Sequence, residues 1–189
     1  MPERSEIVNQ LKAALDAERF EHSLRVEKTA LALGKKWGVS REKIIPAALL
    51  HDCARRYDRR RLLKEAGKIG LEIDPIRRFE PKLFHAEISA YLAEKEFGIR
   101  SKAVLQAIRR HTVGAAGMSK LDKVIYLADH IEEGRDFAGV KKIRALAFKD
   151  LDRAVLLSTG NMIRYLVDFG LPIYPGTVET RNYFALKRT

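Results

Sequence analysis

Apolar residues recur three and four positions apart along nearly the whole chain, the spacing that lays them on one face of a helix. Residues 5–16 carry Ile7, Val8, Leu11, Ala14 and Leu15 in this rhythm. Residues 18–37 continue it with Phe20, Leu24, Ala30, Leu31 and Leu33, and Gly38 closes the segment. Ser40, followed by Glu42 and Lys43, predicts the N-cap of a third helix, which carries Ile44, Ile45, Ala48 and Leu49. Pro46 falls late for a first-turn proline and predicts a bend or a later start. A short basic helix is expected over 58–68, and further helices over 85–97, 101–111, 119–133, 140–148 and 150–169, with glycines between them. The stretch "LEIDPIRRFEPK", broken by Pro75 and Pro81, predicts a loop with a helical turn. No period-two alternation marks a strand. The expected fold is all-α, a single domain over 1–189 with an irregular tail from about 172, whose Tyr174, Tyr183 and Phe184 can pack back onto the helices.

Composition narrows the class. A chain of 189 residues with 46% hydrophobic and 32% charged positions can bury a real core and is expected to fold. No apolar run approaches the length of a membrane span, and Glu3, Arg4 and Glu6 are unlike the start of a signal peptide. One cysteine, Cys53, allows no internal disulfide, so a reducing cytoplasm is expected. The net charge of +11 favours an anionic partner: nucleic acid, anionic lipid or a polyphosphorylated small molecule. No zinc-finger spacing, aromatic RNA motif or Gly-rich P-loop accompanies that charge. A well-solvated basic surface explains much of it.

The polar residues inside the greasy segments change the picture. "AALLHDCARRYDRR", residues 47–60, sets His51 and Asp52 side by side at the end of an apolar run. Neighbours on a helix do not face each other, but side chains about 100° apart can converge on one ion. Of the five histidines, His22, His51, His85 and His111 each lie beside apolar residues on or at the end of an expected helix, and Asp129 is similarly placed, just before His130. Burying several imidazoles and two carboxylates without partners would cost several kcal/mol each. Metal ions supply those partners. Six ligands exceed the needs of one tetrahedral zinc, so a binuclear centre with a bridging carboxylate fits the count. Iron, manganese, cobalt and zinc all suit a His/carboxylate set. Cys53 reads as a small buried hydrophobe.

The order His22, His51-Asp52, His85, His111, Asp129 resembles the HD-domain metal-dependent phosphohydrolases. The longer phrases "LLHD", "HTVGAAGMSKLDKVIYLADHIEEGR" and "TVETRNYF" resemble the bacterial YqeK family, the symmetrical diadenosine tetraphosphate hydrolases, over about residues 18–185. The resemblance implies a helical HD bundle, a pair of divalent or mixed-valence ions, by resemblance iron, and hydrolysis of a dinucleoside polyphosphate to two ADP. His22, His51, Asp52 and Asp129 would hold one ion. Asp52 would bridge to a second ion held by His85 and His111. Arg55 and Arg135 are candidates for gripping phosphate, with Arg56 beside them, while Lys120 and Lys123 read as surface residues or as modest phosphate steering. His130 is a candidate support or proton donor. Two departures from the family pattern stand out: Arg55 and Arg56 where a lysine is expected, and Ala86 where a glycine is expected. Neither departure falls on an expected ligand position.

Rival readings remain open. The Glu-Asp pair of guanosine tetraphosphate hydrolases and the GYP signature of cyclic dinucleotide phosphodiesterases are both absent. An HD-type nucleotidase or another nucleotide phosphohydrolase fits the same ligands. A basic nucleic-acid-binding helical module fits the charge but leaves six polar residues without a purpose. A homodimer is compatible with the sequence, and no membrane partner is expected.

Overall fold

The computed structural model describes residues 2–187. Its elements are α1 (Arg4–Ala14), α2 (Ala17–Trp37), α3 (Arg41–Leu50), α4 (Arg59–Lys68), α5 (Pro75–Phe79), α6 (His85–Lys95), α7 (Lys102–Arg110), α8 (Lys120–Ile131), α9 (Val140–Ala147), α10 (Leu151–Asp168) and α11 (Pro175–Leu186). Two 3₁₀ turns, Cys53–Arg56 and Pro81–Phe84, link α3 to α4 and α5 to α6. No strand occurs among the described residues, and no described helix is long and apolar enough to cross a membrane.

Helix α3 forms the hub, packed against α1, α2, α6, α7 and α8. Beyond its charged first turn it is apolar on all sides, as a helix surrounded by others must be: Ile44, Ala47, Ala48, Leu49 and Leu50 are all fully buried. The helix starts at Arg41 and runs through Pro46, so the later start suggested by that proline does not occur. Ser40 occupies the N-cap position, but its side chain makes no capping bond. Asp16 and Ser119 do cap α2 and α8, accepting from Arg19 N and Asp122 N respectively. At the far end of α3, His51 keeps helical dihedrals while Asp52 moves to φ −109°, ψ 14°. The chain therefore leaves the helix between the two residues, and both side chains stay buried.

The C-terminal tail differs from expectation. Residues 175–186 are helix α11, not irregular chain, and it packs on α10. Pro175 suits the first helical position, but Gly176 and the β-branched Thr177, Val178 and Thr180 after it weaken the local helix signal. Packing overrides them, because Thr177, Thr180 and Phe184 fall on one face and are buried. Thr180 Oγ1 donates to Val113 O at 2.9 Å and so ties α11 to the turn after α7. A Cβ on Gly114, which has φ +73°, would lie 2.5 Å from Thr180 Cγ2. Only glycine fits that turn.

Candidate metal centre

Five helices and one turn deliver the candidate ligands to one place. His22 comes from α2, His51 from the end of α3, Asp52 from the turn that follows, His85 from the start of α6, His111 from the end of α7 and Asp129 from the last turn of α8. The four histidines and Asp52 are buried, and Asp129 is nearly so.

The two oxygens of Asp52 face different partners. Its Oδ1 lies 3.1 Å from His85 Nε2 and 3.5 Å from His111 Nε2, and those two nitrogens are 2.9 Å apart. Its Oδ2 lies 4.0 Å from His22 Nε2 and 3.8 Å from His51 Nε2. Asp129 Oδ1 closes the second group, 3.1 Å from His22 Nε2 and 3.8 Å from His51 Nε2. Ligand atoms ~2.1 Å from a shared ion lie roughly 3–4 Å from one another, so both groups have the right spacing. The trio His51, Asp52 and His111 also has ligand atoms within 4.8 Å of one another, because the two groups adjoin. The shorter approaches of His85 to Asp52 and to His111 favour His85 in the second group.

Each imidazole is turned so that Nε2 is the ligand atom. His51 Nδ1 donates to Ala48 O at 2.6 Å and His111 Nδ1 to Ile108 O at 2.7 Å. His85 Nδ1 donates to Lys82 O, and His22 Nδ1 to Glu132 Oε1 at 3.2 Å. With the proton fixed on Nδ1, the Nε2 lone pair points into the cluster, the arrangement seen around protein-bound metals. His22 Nε2, His51 Nε2 and Asp52 Oδ1 are buried without a hydrogen-bond partner. Such orphans are costly in an apolar interior, and a cation at each group would satisfy them. The residues present fit a pair of ions.

Electrostatics point the same way. Burial pushes His51 down to about 4 and lowers His85 as well, so both favour the neutral form that binds metal. Burial raises the Asp52 carboxyl, but the imidazoles of His51, His111 and His85 outweigh it and leave Asp52 well below the usual carboxylate range. Burial likewise opposes ionisation of Asp129, and His22, His51 and Arg135 overcome it. His111 is the exception: burial lowers it, but the contact with Asp52 leaves it raised. Two anionic carboxylates in an imidazole cage form a site for cations.

The cluster floors a cleft of about 630 Å³, within the range of small-molecule sites. Arg19, Arg55, Thr112, His130 and Arg135 also line it. Arg55 Nε stands 3.9 Å from Asp52 Oδ2, at the floor of the cleft. Arg135 reaches the cleft but is already engaged, with Nη2 on Asp129 Oδ1 at 2.6 Å and Nε on Asp129 O at 2.9 Å. It buttresses a candidate ligand as well as facing the cleft. Arg56 turns away to Glu96 at 3.0 Å, Lys123 pairs with Asp152 at 2.6 Å, and Lys120 reaches Trp37 O. None of these three lines the cleft. His130 stacks on Tyr126 and donates from Nδ1 to Tyr126 O at 2.8 Å, which holds it as a wall residue.

Three participants escaped the sequence reading. Arg19, one turn before His22, places Nη1 3.4 Å from Asp52 Oδ2. The spacing of three in "RFEH" could have revealed it. Thr112 Oγ1 lies 3.1 Å from both His85 Nε2 and His111 Nε2. Glu132, three residues after Asp129, takes His22 Nδ1, Arg25 Nε at 2.7 Å and Gly134 N at 2.6 Å.

Comparisons with known proteins identify a family and a fold. Residues 19–134 match the HD domain family model. The symmetrical bis(5'-nucleosyl)-tetraphosphatase of Halalkalibacterium halodurans is 38% identical over 188 residues, covering 98% of each chain. The Bacillus subtilis protein of the same name is 36% identical, covering 95% of this chain and 96% of its own. A crystal structure from Clostridium acetobutylicum, described as a predicted HD superfamily hydrolase involved in NAD metabolism, superposes with a TM-score of 0.94 at 36% identity over 100% of both chains.

Proposed function

The chain belongs to the HD-domain family, and on that premise we propose that it hydrolyses diadenosine tetraphosphate symmetrically, to two ADP. The observation that carries this reading is the candidate metal cluster at the floor of a cleft, in a chain alike over 98% of its length to a symmetrical tetraphosphatase.

His22, His51, Asp52 and Asp129 would hold one ion and Asp52, His85 and His111 the other, with iron the expected metal and manganese, cobalt or zinc also suited to the donors. Bound ions supply Lewis acidity and a water acidic enough to lose its proton near neutrality. The protein's own part is placement and charge, as is general for phosphoryl transfer. Arg19 and Arg55 stand beside Asp52 and face the cleft, where guanidinium forks can grip phosphate oxygens. Arg135 keeps Asp129 oriented. ADP is a stable anion as a leaving group, so a dedicated proton donor is not demanded of His130. The net charge of +11 draws a polyanion toward the cleft. A reducing cytoplasm suits Cys53, a buried free thiol that burial pushes up to about 12 and so keeps unreactive.

A panel of dinucleoside polyphosphates and mononucleotides, assayed with defined metals, tests the proposal. Preference for diadenosine tetraphosphate supports it. Preference for a nucleoside monophosphate would replace it with the nucleotidase reading.

A further inference from the structure

The cleft does not end at the cluster. From Asp52, His85 and Asp129 it continues along α10 to a second wall made by Phe137, Met162 and Tyr165. Ser158 lines the cleft as well, and the seven residues from there to Tyr165 extend its α10 side by about 10 Å. Large apolar side chains stand open to solvent here, with Phe137 38% and Tyr165 51% exposed. Exposed aromatics inside a cleft signal a ligand more than a core.

The wall is built, not incidental. Asn161 Nδ2 donates to Ala138 O at 3.2 Å, pinning the loop that carries Phe137 onto α10, and Arg164 donates in turn to Asn161 Oδ1. Gly139, at φ +91°, lets the loop come this close, since a Cβ there would lie 2.8 Å from Asn161 Nδ2. Tyr165 packs against Phe169 with ring centroids 4.6 Å apart, which braces it from one side. The result is an aromatic wall and a thioether braced in the same cleft as the cluster.

We infer that Phe137, Met162 and Tyr165 form a nucleobase subsite that stacks the base of the ADP unit whose phosphates lie over the cluster. This inference rests on the nucleotide-hydrolase reading above and specifies where that substrate's base goes. Stacking on an aromatic face tolerates any base, so the subsite selects a nucleoside over bare phosphate more than adenine over guanine.

The test is calorimetric titration of metal-loaded protein with ADP and with inorganic pyrophosphate, in the unmodified chain and in Tyr165→Ala, Tyr165→Phe and Phe137→Ala. Each alanine variant should bind ADP about tenfold more weakly or worse, Tyr165→Phe should stay near the unmodified protein, and pyrophosphate affinity should not move. Metal content and circular dichroism confirm that each variant is intact. Parallel loss of ADP and pyrophosphate, unchanged ADP binding in both alanine variants, or an unmodified protein that binds ADP no better than pyrophosphate would each overturn the subsite. Turnover of diadenosine tetraphosphate in the same preparations separates the two claims. Turnover without the ADP-selective loss defeats the subsite alone, whereas ADP-selective loss without turnover defeats the hydrolase reading alone.

Discussion

Replacing Glu132 with glutamine should strip one ion while leaving the other, through the tautomer of a single imidazole. Glu132 Oε2 accepts from Arg25 Nε and Gly134 N at 2.7 and 2.6 Å, and Oε1 accepts from His22 Nδ1 at 3.2 Å. Glutamine has one oxygen, and the two donors at Oε2 claim it. Its NH2 then faces His22 Nδ1, which can only accept, so the imidazole proton moves to Nε2, the atom turned toward Asp129. Losing such a supporting contact costs about 10–100-fold in metal affinity, or ~1.4–2.7 kcal/mol. Glu132→Ala imposes no wrong tautomer but leaves Arg25 and Gly134 without their acceptor. It should therefore spare the metal more and cost stability more, about 1–3 kcal/mol. Dialysis against defined free metal followed by elemental analysis should give about one ion per Glu132→Gln chain under conditions that load two in the unmodified protein. Two ions held with unchanged affinity in Glu132→Gln would refute the reasoning.

His85→Ala should empty the group at Asp52 Oδ1 first and leave the ion at His22, His51 and Asp129, whereas Asp52→Ala should cost both, as titration of metal content can show. Arg135→Ala should lower turnover by about tenfold to a hundredfold and weaken metal at the Asp129 group too, by analogy with other supporting contacts; unaltered metal binding would show that Arg135 serves the substrate alone. Acid should destabilise the chelator-stripped protein. His51 falls to about 4 in the fold against ~6.5 unfolded, so the unfolded chain takes up a proton first as pH drops. That contribution is complete above pH ~6.5 and about 3 kcal/mol is lost by pH ~4. His85 and His130 act in the same sense, and His111, raised, opposes them. Thermal melts at pH 7 and pH 5 should show a lower midpoint at pH 5.

The fold was legible where period and punctuation agreed. Gly38 closes α2 in the left-handed conformation, and α6 to α10 fall within a few residues of the expected segments. Helix α11 was not legible, because its Pro, Gly and β-branched residues read as irregular and only contact with α10 and with Val113 pays for ordering them. At the site, the six candidate ligands could be singled out because a His or Asp set among apolar residues is conspicuous one residue at a time. The residues that orient them were hidden, because Glu132 and Arg19 look like ordinary charged helix positions until the fold brings them to His22 and Asp52. Arg135 was noticed for its charge, but nothing in a linear chain shows that Asp129 occupies it. Arg56 shows the reverse, since a cation beside the motif in sequence is paired with Glu96, a carboxylate 40 residues further along the chain.

The central claim is symmetrical cleavage at this cluster. Its most direct test is to turn over diadenosine tetraphosphate with the metal-loaded protein in oxygen-18 water, separate the products and locate the label by mass. ADP as the sole product, with one labelled oxygen in half of the ADP molecules, is the predicted result. ATP together with AMP, or no turnover by protein that holds two ions, would contradict it.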